Sequence, residues 1–257
     1  MEPMRDGDVD ISGTARLLAD PARARMLTVL TDGRAQPAGE LARAAGVTAA
    51  TASEHLGKLV DQGWLAVERV GRHRYYRIAL PEVVQIIESL ALISPIEPVK
   101  SLRGARANRD LKIARTCYDH LAGAVGVAVF DALHEDATLT VIRGHWTAAD
   151  HPHPLLDELG ITPSDLRRFG RRPPVRTCLD WSERRYHLAG GLGALILRRM
   201  LDHHWCEPGN TARAVTFTRS GWAALRRTAG IDRAAITDRI TGSAAAPAAP
   251  VQGRAGA

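Results

Sequence analysis

The chain contains no stretch of about 18 uncharged apolar residues, the length a helix needs to cross a bilayer. Its first ten residues, MEPMRDGDVD, are acidic, whereas a secretory leader begins basic and turns apolar. A cytoplasmic protein with no membrane partner is therefore expected. Cysteine is scarce: three residues among 257, an odd number without framework spacing. That excludes a disulfide-stapled secreted scaffold and suits a reducing compartment, with thiols free or bound to something. The first hundred residues also lack an excess of either charge, holding 12 Lys and Arg against 13 Asp and Glu. The net charge of +6 comes from the remainder, with 22 against 15, so binding of a polyanion must be argued from local placement. No catalytic constellation is evident. Cys117, Asp119 and His120 are neighbours in sequence, but three side chains on one turn point apart, and an enzyme is not expected. What is present is a 45% hydrophobic fraction, enough for a real core.

The rest of the chain is organised around Thr48 to Arg77, TAATASEHLGKLVDQGWLAVERVGRHRYYR. Thr48 is a good N-cap, and Ala52, Leu56, Leu59 and Val60 follow as one helical stripe. Gly63 closes the helix, and the period switches to two on either side of a turn at Val70-Gly71-Arg72. Upstream, Ile11 to Leu18 reads as a helix. Asp20 then caps a second, Ala22 to Leu30, with Pro21 at its first position and Met26, Leu27 and Leu30 inward. Pro37 to Ala45 forms a short third helix ended by Gly46, so the capped helix is the second of a helix-turn-helix. Pro81 restarts a helix, VVQIIESLALI, apolar on nearly every face, which must be covered by a partner subunit or a second domain.

A helix with a free polar face followed by an arginine-bearing hairpin suits the DNA major groove. The expected DNA contacts are Thr48, Ala49, Ala50, Thr51, Ser53, Glu54, His55 and Lys58 on the helix, and Arg69, Arg72 and Arg74 on the wing. Ala49 and Ala50 offer only methyl contacts, so direct readout is modest and the arginines serve phosphates or a narrow minor groove. Against this, isolated arginines are often a solvated face and His55 a satisfied helix residue. Tyr75 and Tyr76 read as wing packing.

LLADPARARMLTVL, GELARAAGVTAATASEHLGKLVDQGWL and VGRHRYYRIA together resemble ArsR/SmtB-type winged helix-turn-helix regulators over residues 11 to 95. The resemblance implies a homodimer built through the first and last helices of the domain. It also implies binding to an imperfect palindrome in double-stranded DNA, repression, and release by a ligand. Metal-sensing members carry Cys before the reading helix, or Asp and His on the last helix. Here ELARAAG and VVQIIESLALI hold neither Cys nor His, so a signal must enter elsewhere.

Pro95 and Pro98 mark a break, after which Lys100, Arg103, Arg106, Arg109, Lys112 and Arg115 recur at every third position. On a helix that set spirals, so a solvated linker helix over 99–116 is expected. Beyond it the chain repeats itself: CYDHLAGAVG matches CLDWSERRYHLAGGLG through HLAGxxG. Each copy continues into an apolar helix, a threonine-rich strand (LTVIRGHW; VTFTRSGW) and a helix ending in Gly-Ile. The small residues of HLAGGLG would let two helices approach closely. The motifs also resemble the C-terminal extension of a CYDHLAG / CLDW-ER-HLAG subgroup of ArsR-type regulators.

The expected fold is thus mostly α with small β-hairpin wings: a winged helix over 11–98 and two degenerate helix–hairpin–helix repeats over 117–241. Loose tails are expected at 1–10 and 242–257. Cys117, Asp119, His120, Cys178, Asp180 and His187 occupy matching places in the two copies and would converge under a pseudo-twofold. Two thiolates with imidazoles suit Zn²⁺ or another borderline-soft metal. The alternatives are buried cysteines acting as small hydrophobes with capping Asp and His, or a thiol redox sensor. His203, His204 and Cys206, and His151 and His153, form looser clusters. Tyr118, Trp181 and Trp205 would equally line a pocket for a small organic effector. The expected function is a dimeric DNA-binding repressor with its signal received in the C-terminal half. The competing class is a ligand-binding or structural module whose winged helix makes protein contacts.

Overall fold

The computed structural model describes residue 9 and residues 11–95, 101–149, 153–170 and 172–242. The chain divides into two compact units, Met1–Ile87 and Glu88–Ala257. The division falls within a helix rather than at the prolines. The expected loose tails lie outside the described residues, apart from Val9 and Gly242.

The first unit follows its sequence pattern closely. Helix α1 (Ile11–Leu18) leads to α2 (Pro21–Leu30), where the Asp20 side chain accepts from the Arg23 amide and Pro21 occupies the first turn. Strand β1 (Gln36–Pro37) precedes α3 (Ala38–Ala45), so the proline expected to begin that helix lies in a short strand instead. Gly46, at φ 71°, ends α3 in the left-handed region, and its amide bonds back to the Ala42 and Arg43 carbonyls. Helix α4 (Ala49–Asp61) then begins, with Thr48 Oγ1 accepting from the Thr51 amide at 3.2 Å. The hairpin of β2 (Leu65–Val70) and β3 (His73–Ile78) completes an antiparallel sheet of order β1-β3-β2. Met26, Leu27, Leu30, Leu41, Leu56, Leu59, Leu65 and Ile78 are buried together with Tyr76. Burial of each such aliphatic side chain contributes about 1.5–3 kcal/mol. Helix α5 (Pro81–Ile93) carries buried Val83 and Val84 in its first turns and, farther on, exposed Ile86, Leu90 and Ile93.

The second unit begins within α5 at Glu88 and takes up α6 (Leu102–Ile113). That helix packs on later elements of the same unit, so the expected linker helix is part of a domain. It also ends before Arg115, which lies fully buried in strand β4 (Arg115–Cys117). The three-residue spacing continued past the helix, and the last arginine of the series is not solvated.

Strands β4 and β5 (His120–Ala122) form a hairpin that feeds α7 (Gly123–Glu135). A second hairpin follows, β6 (Leu139–Ile142) with β7 (His145–Ala148), and then the short helices α8 (Pro154–Glu158) and α9 (Pro163–Leu166). The second copy runs through the hairpin of β8 (Arg176–Leu179) and β9 (Tyr186–Ala189) into α10 (Gly190–Asp202). The hairpin of β10 (Cys206–Pro208) and β11 (Val215–Phe217) leads on to α11 (Arg219–Ala229) and α12 (Arg233–Thr241). Each copy is therefore hairpin–helix–hairpin–helix, where the sequence pattern suggested helix–hairpin–helix. The HLA of each HLAG is strand, and the glycine starts the helix. The repeat also loses register in its later part. LTVI is the first strand of its hairpin and VTF the second, so Trp146 lies in β7 whereas Trp222 lies in α11.

The copies interlock. Strand β5 packs on α10, β9 packs on α7, and β5 meets β9. Gly126 and Gly193 make this approach feasible. A methyl group at Gly126 would sit 2.4 Å from the Leu121 carbonyl oxygen and 3.7 Å from the His187 Cβ. At Gly193 it would sit 2.5 Å from the Leu188 carbonyl oxygen and 3.2 Å from the His120 Cβ. The small residues thus admit the backbone of their own copy's strand and the histidine of the opposite copy, not a second helix. Around this seam lies a core that includes Val125, Leu133, Leu155, Leu159, Leu192 and Met200.

Candidate nucleic-acid interface and candidate metal centre

On the first unit, Thr48, Ala49 and Ala50 are exposed at the start of α4. The hydroxyls of Thr48 and Thr51 lie 2.9 Å apart, tying the first turn together. Ser53 faces outward toward the wing, where Arg74 Nη2 donates to its Oγ at 3.3 Å. Glu54 and Lys58 pair with each other at 2.7 Å one turn apart. His55 is placed differently from its neighbours. It lies 3.2 Å from Arg23 Nη1 and 3.8 Å from the Asp20 carboxylate, with 12% of its side chain exposed. It ties α4 to the cap of α2 rather than extending from the outer face.

On the wing, Arg69 and Arg74 are direct cross-strand partners and both are exposed, with Arg72 at the turn beside them. Like charges directly opposite on a hairpin repel one another, and an anion between them relieves that cost. The exposed helix N-terminus adds amides and a positive dipole end, which also suit a phosphate.

In the second unit the repeat brings four of the six expected residues to one point. Cys117 and His120 come from the first hairpin, Cys178 and His187 from the second. One ligand-capable atom of each lies within 4.8 Å of the others. Cys117, His120 and His187 are buried and Cys178 is half-buried. The sulfurs stand 3.9 Å apart, far beyond the roughly 2.05 Å of a disulfide. The neighbouring Cys178 sulfur, with burial, pushes the Cys117 thiol up to about 12.

The two aspartates stand behind the histidines. His120 Nδ1 is 3.3 Å from Asp119, and His187 Nδ1 is 3.4 Å from Asp180. Nε2 of both rings, and Nδ1 of His187, are buried and make no hydrogen bond within the protein. Burial alone would lower both imidazoles. The Cys117 sulfur beside His120 and the Asp180 carboxylate beside His187 instead hold them above the usual histidine range. Burial likewise opposes ionisation of Asp119, but bonds from His120 and Arg172 outweigh it and hold its carboxyl at about 2. Asp180 is held lower still, against its own burial, by His187, Arg115 and Ser182.

Asp180 is also a structural hub. It accepts from the amides of Gly123 at 2.7 Å, Ser182 at 2.9 Å and Glu183 at 3.1 Å. Arg115 Nη2 lies 3.0 Å from it, and the guanidinium stacks over Trp181. On its other side Arg115 meets Glu88, which also bonds Arg213. Sequence reasoning missed Arg115, Glu88, Arg172 and Ser182. One signal was available: Glu88 is the single charge in VVQIIESLALI, and a carboxylate in so apolar a helix needs a partner.

The remaining candidates disperse. His203 and His204 are exposed while Cys206 is buried, so they form no cluster. His153 caps the Leu155 amide, and His151 lies outside the described residues. Trp205 belongs to the core and Trp181 is covered by Arg115.

A helix-turn-helix with a basic wing defines the first unit as a DNA-binding module, and residues 18–68 match the family model described as a helix-turn-helix domain. The chain is 42% identical over 218 residues to the uncharacterized HTH-type transcriptional regulator YdfF of Bacillus subtilis (strain 168), covering 85% of this chain and 96% of that one. The chain belongs to the HTH-type transcriptional regulators and is a DNA-binding transcriptional regulator. An alignment of that length cannot be contained in the first unit, so the likeness extends across most of the second. A shorter likeness, 33% over 96 residues, covers 35% of this chain and 80% of the regulator CmtR of Mycobacterium tuberculosis (strain ATCC 25618 / H37Rv). Among solved structures, NolR from Sinorhizobium fredii is 26% identical with a TM-score of 0.33, covering 36% of this chain and 96% of that chain. No helix among the described residues is long and apolar enough to cross a membrane.

Proposed function

We propose that the protein is a homodimeric repressor of the ArsR/SmtB type that grips an imperfect palindrome with α4 and its wing. A signal received in the second unit releases it. The observation that carries the DNA reading is the opposed Arg69–Arg74 pair beside Ser53 and the open start of α4, an arrangement relieved by phosphate. Dimerisation is supported by the exposed stripe Ile86, Leu90 and Ile93 on α5 and by exposed Ile11 on α1, the two helices that the family resemblance assigns to the dimer. That α3 and α5 hold neither Cys nor His supports placing the input in the second unit.

A mobility-shift titration against fragments upstream of its own and neighbouring genes tests this reading. One palindromic fragment should be bound well above bulk DNA, with affinity falling steeply as salt rises. Equal binding to all fragments would sink the specific repressor.

A further inference from the structure

We propose that Cys117, His120, Cys178 and His187 hold one Zn²⁺ ion in a closed Cys₂His₂ tetrahedron, with two ligands from each copy of the repeat. The donor set comes first. Two sulfurs and two imidazole nitrogens, with no oxygen donor among them, suit a borderline-soft cation and exclude Mg²⁺ and Ca²⁺ as residents. Geometry agrees. Zinc–sulfur bonds of about 2.3 Å at tetrahedral angles set the sulfurs about 3.8 Å apart, against 3.9 Å found.

The unpartnered atoms are the independent observation. Nε2 of His120 and both ring nitrogens of His187 are buried without hydrogen bonds, while each Nδ1 faces an aspartate, at 3.3 Å from Asp119 and 3.4 Å from Asp180. A metal-ligating imidazole takes this arrangement, one nitrogen for the ion and the other held by a carboxylate. Charge also closes: on binding, each cysteine releases its thiol proton and each imidazole gives up any proton on its ligating nitrogen to solvent, and the two thiolates neutralise the dication. No oxidant or reductant is needed. Asp119 and Asp180 are balanced separately by Arg172 and Arg115.

All four positions come from protein, which marks a structural rather than a catalytic ion. Because β5 packs on α10 and β9 on α7, the ion sits where the copies interlock and ties them. Half-buried Cys178 is the side from which it enters.

The experiment uses the full chain, purified under reducing conditions without chelator, and holds whether or not the chain binds DNA. Elemental analysis should find about one zinc per chain. Protein stripped and reloaded with Co²⁺ alone should show the visible bands of tetrahedral thiolate coordination. Cys117→Ser with Cys178→Ser should abolish both signals, whereas Cys206→Ser should retain both, its thiol lying outside the cluster. Should the double variant fail to fold, the wild-type Co²⁺ spectrum and the Cys206→Ser control decide. The proposal is overturned if folded wild-type protein takes up neither zinc nor cobalt, if it carries copper instead of zinc, or if peptide mapping finds Cys117 and Cys178 joined as a disulfide.

Discussion

The two units place their chemistry in opposite media. The first keeps it in water: Ser53, Lys58 and the wing arginines stand on an outer face, and its interior is a mainly apolar core. The second buries it: two histidines, an aspartate and an arginine lie in the interior with almost no exposure. A surface site tolerates substitution around it and responds to salt. A buried polar site leaves each member dependent on its partners. Changes in the first unit should therefore alter binding with little effect on stability, and changes in the second should do the reverse.

The sharpest break in that contrast is Arg115→Ala, which takes away the guanidinium that Glu88 and Asp180 share in the interior. Removing one partner of a buried ion pair costs about 3–5 kcal/mol, and urea denaturation should register it as a collapse of the second unit. Next is Gly193→Ala, whose added methyl meets backbone at 2.5 Å and should cost about 3 kcal/mol, at the upper end of overpacking. The same change at Gly57, where nothing lies within 4 Å inside α4, should instead gain up to about 1 kcal/mol through helix propensity. Equal penalties at the two glycines would erase the distinction.

Legibility followed the same divide. The first unit was readable because each of its elements is local: Thr48 capping α4, Gly46 ending α3, alternation in the wing. Only the helix at Pro37 started a residue late, captured by pairing with Tyr75. In the second unit the repeat identified Cys117, His120, Cys178 and His187 as equivalent positions, which is why the cluster was foreseeable. Arg115 was not, because its spacing matched a helix that ends before it and its partners lie on two distant segments. The short HLA strands were hidden for a related reason. Their pairing partners, three or four residues long, carry too few alternations to show a period.

Smaller effects sharpen the comparison from the first unit's side. Arg72→Ala with Arg74→Ala should lower DNA affinity about uniformly across sequences and flatten the salt slope by roughly one unit per phosphate lost, with the melting temperature nearly unchanged. A loss confined to one sequence would mean that the wing reads bases. Thr48→Ala should cost about 1 kcal/mol through its exposed cap, measurable as a shift in the first unit's denaturation midpoint. Smallest is a pH effect at Asp20. The Arg23 amide, aided by His55, holds its carboxyl below the ordinary 3.8, so the folded state takes up that proton less readily than the unfolded one. Its contribution is present above the ordinary carboxylate range and drains away as pH falls through and below it. Asp20→Asn, which keeps the capping oxygen, should remove that slice of the acid dependence when melting is followed against pH.

Glu88 has a consequence for how such a protein is assembled over evolutionary time. The carboxylate shared by Arg115 and Arg213 rides on α5, upstream of the prolines that would pass for the joint between reading head and appendage. Recombination at that proline joint would hand the appendage to a new host without its counter-ion. A viable transfer has to carry α5 along, and with it Val83 and Val84, which are buried on the same helix. A relative that matches across most of the chain keeps the two together.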